Sequence, residues 1–397
     1  MFASDDFFLN EEERQFRQEL SAFCQEQVEP YVDQIERTES WELLRPIVTK
    51  LGQAGYLSLP FPKFYQGGIP HPGIVHGVIL SEELACRSAA VNGAAATGVI
   101  IGRTIYDFGN DEQRERYVRP MAFGEKIGAM GITEEEVGSD TAGMKTRAIL
   151  DGDHWVITGK KKFIGNNSTA DIFLIYCITD PTVDPHRGMS AIVVEKGARG
   201  LSTPKVFDLM GWKGLANGEV LLEEVRAPRS NLIGGLNRGF YVLMSHLNGE
   251  RTLAAGQCLG IARAALEEAR RFAGRRVQFG EPIGQKQDVY FKIAHLATLL
   301  DAARLLTYRA AKMIDAGIDQ RSLSREASMA KYYASEVANI IANEAVQICG
   351  GEGYSKENLR AERYYRDARL LKIAGGTSEM QKYIIATQEL PGLKIRL

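Results

Sequence analysis

Hydrophobic and polar positions follow different periods in three successive stretches of the chain. Residues 1 to about 125 show helical spacing, which places Phe16 and Leu20 on one face of a predicted helix. The middle third contains short runs rich in Val, Ile and aromatic residues, and Asp151-Gly152 is a turn signal between two of them. From Gly239 onward the helical spacing returns and persists. The pattern predicts a helical domain, a small antiparallel β-domain and a helical bundle.

Composition excludes several classes of partner. The formal net charge is −2, which favours neither a nucleic-acid partner nor a membrane surface. The apolar runs are far shorter than the roughly 20 residues that a membrane-spanning helix needs. The N-terminus, MFASDDFFLNEEERQF, is acidic and lacks the basic start of a targeting peptide, so we expect a cytoplasmic protein. We expect the five scattered cysteines to be reduced, and the spacing of the six histidines predicts no metal site.

Four distinctive stretches follow one another along the chain. They are ITEEEVGSD (132–140), GKKKFIGNNSTAD (159–171), RRVQFG (275–280) and QICGGEGY (347–354), and the last leads on to LKIAGGTSEMQ (371–381). In this order and spacing the chain resembles the acyl-CoA dehydrogenases, FAD enzymes that oxidise acyl thioesters between the α and β carbons. The resemblance covers essentially the whole chain. It implies an α+β fold with an N-terminal helical domain (1–127), a middle antiparallel β-domain (128–238) and a C-terminal four-helix bundle (239–397).

The resemblance implies FAD as the cofactor and assigns residues to it. The two phosphates of a dinucleotide need backbone N–H groups that approach closely, which glycine allows. In the family, the positions of Ile132 and Thr133 bond the isoalloxazine edge. Residues at the positions of Arg276, Gln278 and Phe279 reach the FAD of a neighbouring subunit, so we expect a homodimer or homotetramer. The implied cofactor-binding positions are Ile132, Thr133, Gly138, Ser139, Phe163, Gly165, Arg276, Gln278, Phe279, Gln347, Gly350, Gly351, Thr377 and Glu379.

The resemblance also locates a catalytic base. Many members carry a glutamate where this chain has Gly375, and that carboxylate removes the α-proton. A minority, including isovaleryl- and long-chain-type enzymes, place the base in a Leu-x-x-Glu-Arg stretch, which matches LNGER here and makes Glu250 the expected base. The backbone N–H of Gly375 is expected to bond the enolate oxygen, and Arg251 either orients the helix and local charges or is purely structural. The alternative for Glu250 is that it begins a helix, where a carboxylate is favourable.

The sequence departs from the family pattern at three positions. Gly165 replaces a Thr or Ser whose hydroxyl bonds flavin N5, Phe163 replaces an aromatic residue that is often Trp, and Glu135 replaces a common proline. The electron acceptor therefore stays open between an electron-transfer flavoprotein and oxygen. If Glu250 were not the base, Glu134 and Glu135 would be the next carboxylates to consider.

Three functions compete on this sequence. The first is a dehydrogenase of a short, branched or cyclic acyl-CoA. The second applies the same chemistry to an acyl group on an acyl or peptidyl carrier protein, such as a prolyl or extender unit. Because carrier proteins are acidic, this function needs a basic entrance, to which Arg263, Arg270 and Arg271 could contribute. The third is a flavin-bearing, nucleic-acid-binding relative, which the near-zero net charge disfavours.

Overall fold

The computed structural model describes residues 7–65 and 72–393. The N-terminal region is helical, as predicted. Its helices are α1 (Glu11–Gln27), α2 (Glu29–Thr38), α3 (Leu44–Gln53), α4 (Ile74–Arg87), α5 (Ala89–Phe108), α6 (Asp111–Gln113) and, after a π-helical segment (Arg114–Val118), α7 (Arg119–Ala122). Helix α1 starts at a capping box, in which the side chains of Asn10 and Glu13 each accept the other's backbone N–H at 2.8 Å. Its predicted apolar face is buried at Phe16 and Leu20.

The middle region forms an eight-stranded sheet within the described residues. The strands are β1 (Gly128–Gly131), β2 (Arg147–Asp151), β3 (His154–Gly165), β4 (Ile172–Ile178), β5 (Met189–Glu195), β6 (Leu201–Ser202), β7 (Asn217–Pro228) and β8 (Leu232–Ile233), with helix α8 (Pro185–Gly188) before β5. The path runs β6-β7-β3-β2-β4-β5-β8, and β1 pairs with β4 off this path. The predicted turn joins β2 to β3 as an antiparallel hairpin, in which Asp151 faces His154.

The sheet is mixed rather than wholly antiparallel, which corrects the prediction. Strand β1 runs parallel to β4, with Gly128 opposite Ile172, and β2 meets β4 in parallel where Arg147 faces Ile178. The physical reason is the connection: after β1 the chain leaves the sheet through a long loop and the β2–β3 hairpin before it returns as β4. Such a crossover brings the strand back in its original direction, whereas a tight turn reverses it.

The C-terminal region is helical again. Its elements are α9 (Gly239–Ser245), α10 (Leu247–Arg275), the hairpin strands β9 (Val277–Gln278) and β10 (Glu281–Pro282), α11 (Gln287–Asp315), α12 (Gln320–Tyr354), α13 (Ala361–Leu370) and α14 (Ser378–Glu389). Helices α10, α11 and α12 pack against one another, and α13 packs against α10 and α12, which gives the predicted four-helix bundle. In the described ranges, no helix is long and apolar enough to cross a membrane.

Helix α10 also packs along α4, because glycines let the two backbones approach. A Cβ atom added to Gly260 would lie 2.3 Å from the carbonyl oxygen of Glu82, and one added to Gly256 would lie 3.0 Å from that of Val78. A larger residue at Gly260 would therefore push the two helices apart. The N-terminal helices and the bundle share one hydrophobic core. The domain boundaries at 127/128 and 238/239 stay a prediction.

A buried cluster of charged side chains lies at this α4–α10 contact. The carboxylate of Glu82 accepts from Arg17 of α1 and from Arg304 of α11, each at 2.8 Å. Arg263 of α10 binds the neighbouring Glu83 at 2.7 Å. Burial opposes the charge of Glu82, but the three guanidinium groups outweigh it and hold its pKa below its usual range. The cluster thus joins four helices from both ends of the chain.

This placement overturns one expectation about a basic entrance for a carrier protein. Arg263 is buried among carboxylates, so its charge is neutralised inside the protein and is not offered to a partner. Arg270 is half-buried, and Arg271 is exposed. The sequence could not show which of the three arginines is buried, because all of them lie on one helix and their burial depends on which face of that helix meets α4.

Replacing Glu82 with Gln should destabilise the protein strongly, because it removes the carboxylate that pairs with Arg304 and leaves Glu83 alone to balance Arg17 and Arg263. Neutralising one partner of a buried ion pair typically costs about 3–5 kcal/mol. The measurement is the urea-unfolding midpoint of the purified protein. E136Q is the matched control, since Glu136 pairs with Lys145 at the surface, and we expect it to unfold with the wild type. An E82Q midpoint equal to that of the wild type would contradict the role assigned to the cluster.

Candidate active site

Glu250 lies in the first turn of α10. The residue as a whole is partly accessible to solvent, but its carboxyl group is surrounded by protein atoms. Burial raises the pKa of Glu250 to about 7, and the charge of Arg251 opposes that rise. A carboxyl group with a pKa near 7 can take up and release a proton at neutral pH, which is what a general base must do.

Side chains from α5, β4 and α10 lie near this carboxyl group. Tyr176 of β4 is buried, and burial together with the charge of Glu250 raises the pKa of its phenol. The hydroxyl of Thr104, on α5, lies near that phenol. Arg251 donates from Nη1 to the amide oxygen of Asn248 at 3.1 Å, and burial lowers its pKa. The carboxyl group therefore faces the junction between the bundle, the sheet and the N-terminal helices.

The loop between α13 and α14 carries Gly375 and Gly376 on its exposed side. Their φ angles are +66° and +87°, a conformation that favours glycine. In the described parts of the chain, no protein acceptor bonds the N–H of Gly375, so this donor is available to a ligand. Thr377 caps α14 by accepting the N–H of Met380 at 3.3 Å, and Glu379 is exposed in the first turn of that helix.

The loop that follows β1 is anchored to β3 by the buried Lys161. Its Nζ donates to the carbonyl oxygen of Ile132 at 3.1 Å and to the carboxylate of Glu134 at 2.8 Å. Glu134 also accepts the backbone N–H groups of Lys145 at 2.7 Å and Thr146 at 3.0 Å. Burial would raise the pKa of Glu134, but the charge and hydrogen bond of Lys161 outweigh it and lower the pKa. The carboxylate of Glu134 therefore holds the loop in place through these hydrogen bonds.

Neither Glu134 nor Glu135, the two alternative carboxylates, is suited to act as the base. Glu134 is ionised and already accepts three donors from the loop and β3. Glu135 is exposed and pairs with Lys162 at 2.7 Å. The backbone N–H of Lys162 also donates to the carbonyl oxygen of Thr133 at 2.8 Å, which holds that residue beside β3. Further along the same loop, Gly138 and Ser139 are exposed.

The end of β3 presents an aromatic ring and a glycine. Phe163 is 53% exposed and has a φ of +57°, and its ring centroid lies 4.9 Å from that of Phe207. A Cβ atom added to Gly165 would lie 3.8 Å from Oγ1 of Thr97, on α5. A hydroxyl from α5 therefore lies close to where the family's Thr or Ser side chain would stand.

The other predicted cofactor residues lie at the opposite end of the bundle. Helix α10 has 29 residues, so at about 1.5 Å per residue it is roughly 43 Å long, and Glu250 is near its start. The distant group comprises Arg276, Gln278 and Phe279 after α10 and Gln347, Gly350 and Gly351 on α12, all of them exposed. Phe272 and Cys349 share a small apolar cluster that packs these two segments together. One chain thus divides its predicted FAD residues between two ends.

Sequence reasoning missed three polar residues that support these segments, namely Lys161, Lys331 and Thr97. Lys331 is fully buried in α12, and its Nζ lies 2.5 Å from the carbonyl oxygen of Gly376. A signal was present: Lys331 sits among the buried Ala327, Ala330 and Ala334, on the apolar face of its helix. A lysine on such a face needs a polar partner, but the sequence does not reveal which one.

Sequence profiles of all three acyl-CoA dehydrogenase domains match the chain. The N-terminal domain matches residues 10–125, the middle domain residues 129–225 and the C-terminal domain residues 237–390. The short-chain-specific acyl-CoA dehydrogenase of Clostridium acetobutylicum is 37% identical over 96% of this chain and 98% of its own length. The caffeyl-CoA reductase-Etf complex subunit CarC of Acetobacterium woodii is 36% identical over 96% of this chain and 98% of its own.

Solved structures agree with the sequence profiles. Butyryl-CoA dehydrogenase from Megasphaera elsdenii superposes with a TM-score of 0.90 at 32% identity, covering 97% of this chain and 99% of that one. The prolyl acyl carrier protein oxidase AnaB superposes with a TM-score of 0.89 at 29% identity, covering 97% and 100%. The predicted family, fold and cofactor are confirmed: this chain belongs to the acyl-CoA dehydrogenases, a family of FAD-dependent oxidoreductases.

Proposed function

We propose that this member oxidises a short, branched or cyclic acyl thioester, with Glu250 as the base that removes the α-proton. The family establishes dehydrogenation of acyl-CoA, and the proposal adds the base and the class of acyl group. The observation that carries it is the carboxyl group of Glu250, whose pKa burial raises to about 7, at the junction of the three regions. Gly375 offers no carboxylate that could compete for this role.

The residues present fit FAD. Phe163 exposes an aromatic ring beside the loop of Ile132 and Thr133, where a flat apolar ring system can pack. Gly350 has φ +59° and ψ −137° inside α12, a conformation essentially limited to glycine, and a Cβ atom there would touch nothing within 4 Å. The backbone conformation explains this glycine, and the open space beside it leaves the backbone accessible to a phosphate. FAD, when bound, supplies the acceptor for the hydride that leaves the β-carbon.

The chain's own groups account for the proton transfer. The α-proton of a thioester is only weakly acidic, so its removal needs both a base and stabilisation of the oxygen on which charge develops. Glu250 takes the proton in surroundings that disfavour its own charge, which raises its basicity. The N–H of Gly375 donates to the thioester oxygen, and its strength as a donor does not depend on a side chain. Arg251, held by Asn248, limits how far burial raises the pKa of Glu250.

The free space supports a compact, branched acyl group. A Cβ atom at Gly375 would have no neighbour within 4 Å, so the region beside the loop is open where many family members place a carboxylate. On α5, residues 96–100 are partly accessible although the preceding turn is buried, and they are Ala, Thr, Gly, Val and Ile. Thr97, the residue of this segment that lies beside Gly165, is flanked by Ala96 and Gly98, and these small side chains leave width for a branch or ring.

The experiment that tests the function is anaerobic bleaching of the FAD absorbance by a panel of thioesters. The panel contains butyryl, isovaleryl, cyclic and long straight acyl groups, each on CoA and on a carrier protein. We expect the compact branched or cyclic CoA thioesters to bleach fastest. A panel in which only a long straight chain reacts would refute the proposed acyl class.

A carrier-protein substrate is the second candidate. The likeness to the prolyl acyl carrier protein oxidase over almost the whole of both chains favours it. The burial of Arg263 counts against it, because that arginine is not available to an acidic carrier. Preferential bleaching by the carrier-bound member of a matched thioester pair would decide for this candidate.

E250Q should retain FAD and bind thioesters but reduce its flavin very slowly. Gln has nearly the same shape as Glu, so the substitution removes the base without opening a cavity, and a general base contributes on the order of 10² to 10⁴ in rate. The measurement is the first-order rate of flavin reduction in anaerobic stopped flow. E135Q is the matched control, since Glu135 is exposed at the flavin loop. Reduction of E250Q at close to the wild-type rate would refute the assignment.

The double variant E250Q/G375E should recover part of the lost rate. In the family the two glutamate positions serve the same α-carbon, and the space beside Gly375 is open. Recovery should be incomplete, because the φ of +66° at position 375 costs a residue with a side chain roughly 1–2 kcal/mol. G375E alone, measured in the same way, shows what the new side chain does to substrate access.

Flavin reduction should become faster as the pH rises through about 7. Only the ionised carboxylate accepts the α-proton, and burial keeps Glu250 protonated at pH values where an ordinary glutamate is ionised. The rate of reduction at saturating thioester, measured from about pH 5.5 to 8.5, should therefore climb and then level off. A rate that is flat across this range, or that falls with rising pH, would contradict the pKa assigned to Glu250.

We infer a homo-oligomer from the division of the FAD residues between two ends of the bundle. One dinucleotide on one chain does not explain both groups, whereas a second copy can bring its distant group to the first copy's Phe163 and Thr133. Phe279, 94% exposed at the tip of its hairpin, suits such an exchange. Sedimentation of the FAD-loaded protein tests the inference, and a flavin-saturated monomer would refute it.

We propose an electron-transfer flavoprotein as the electron acceptor. The relative CarC is named as a subunit of an Etf complex. The hydroxyl of Thr97 near Gly165 weakens the argument for oxygen, since that argument rested on a missing hydroxyl. Substrate-reduced enzyme that reoxidises rapidly in air would reverse this choice.

A further inference from the structure

Lys331 is a buried lysine in α12 that the proposed chemistry does not use. It is 0% exposed, and in the described residues no carboxylate lies within ion-pair distance of its Nζ. Burial lowers the pKa of Lys331 to about 8. Of its neighbours on α10, Cys258 raises this pKa and Arg251 lowers it. The carboxylates of Glu336 and Glu379 also raise it. Burying a lysine without a paired carboxylate costs free energy, so we ask what its one strong contact contributes.

That contact is with the backbone of the loop between α13 and α14. The Nζ of Lys331 lies 2.5 Å from the carbonyl oxygen of Gly376, and the amide Nε2 of the buried Gln381 donates to the same oxygen at 3.0 Å. Gly375 and Gly376 have no side chains through which the loop could be held, and glycine is the most flexible residue. The two donors therefore fix a segment that its own sequence leaves free.

We propose that Lys331 is a positioning residue: by holding the carbonyl of Gly376 it keeps the N–H of the adjacent Gly375 directed at the thioester oxygen. The proposal rests on the proposed function, in which that N–H donates to the oxygen where charge develops. A misdirected donor stabilises the transition state less and affects the ground state little, because the oxygen becomes charged only as the proton leaves. Loss of Lys331 should therefore lower the rate of reduction and leave thioester affinity nearly unchanged.

The test is K331M, which keeps most of the length and volume of the side chain and removes its donor. K372M is the matched control, because Lys372 lies at the start of the same loop and pairs with Glu336 at 2.7 Å without touching Gly376. FAD content, thermal midpoint, thioester dissociation constant and the rate of flavin reduction are measured for both. We expect K331M to reduce its flavin about 10- to 100-fold more slowly, as expected for a misplaced catalytic group. We expect K372M to match the wild type.

Stability separates positioning from a purely structural role. Exchanging an unpaired buried lysine for an apolar side chain should leave the thermal midpoint unchanged or raise it. A slow reduction rate with an undiminished midpoint and unchanged affinity supports the proposal. An unchanged reduction rate, or a loss confined to thioester affinity, overturns it.

A second variant keeps the proposal testable if K331M does not accumulate as a flavoprotein. In Q381E the new carboxylate lies next to the Nζ of Lys331, where it competes with the carbonyl of Gly376 and removes the second donor. We expect the same selective loss of reduction rate, and a wild-type rate would overturn the proposal. Failure of the proposed function looks different, since it appears in the wild type, as a panel in which no compact branched or cyclic thioester bleaches the flavin.

Discussion

The close approach of α10 to α4 is the constraint on which the rest of the structure depends. Without side chains at Gly256 and Gly260, the two helices meet along their backbones, and Arg263 enters the cluster of Glu82 and Glu83. These charges would be costly to bury alone, but each has an opposite charge within hydrogen-bonding distance. The contact fixes α10 against the N-terminal helices. It thereby fixes the position of Glu250, at the start of α10, relative to α5 and the sheet.

Two glutamates, Glu134 and Glu250, show how surroundings decide chemistry. Glu134 has a cation and two backbone N–H groups against its carboxylate, so its pKa is lowered although it is buried. The carboxyl group of Glu250 is surrounded by protein atoms without comparable compensation, so its pKa rises. The same side chain is thus a fixed anion in one place and a proton acceptor at neutral pH in the other. The first holds a loop in position, and the second suits the base of the proposed reaction.

Two buried lysines hold backbone at the segments assigned to cofactor and substrate. Lys161 bonds the carbonyl of Ile132, and Lys331 bonds that of Gly376. Both segments are irregular backbone, which lacks the repeated hydrogen bonds that keep helices and strands rigid. A long side chain that reaches out from a regular element can supply that rigidity. The helix and strand that carry these lysines therefore position the loops, while the loops keep the free N–H groups that ligands need.

The sequence by itself determined the order of the elements, the family and the positions of the candidate residues. Local spacing was sufficient for this, because the burial of Phe16 and Leu20 and the turn at Asp151-Gly152 depend on periods of a few residues. Motif order was sufficient for the family and for FAD. Only the tertiary structure decided that β1 pairs in parallel with β4, that Arg263 is buried, and that Glu134 is occupied by Lys161. It alone gave Glu250 its raised pKa, because burial and neighbouring charge come from segments distant in sequence, and no local pattern records which of them will meet.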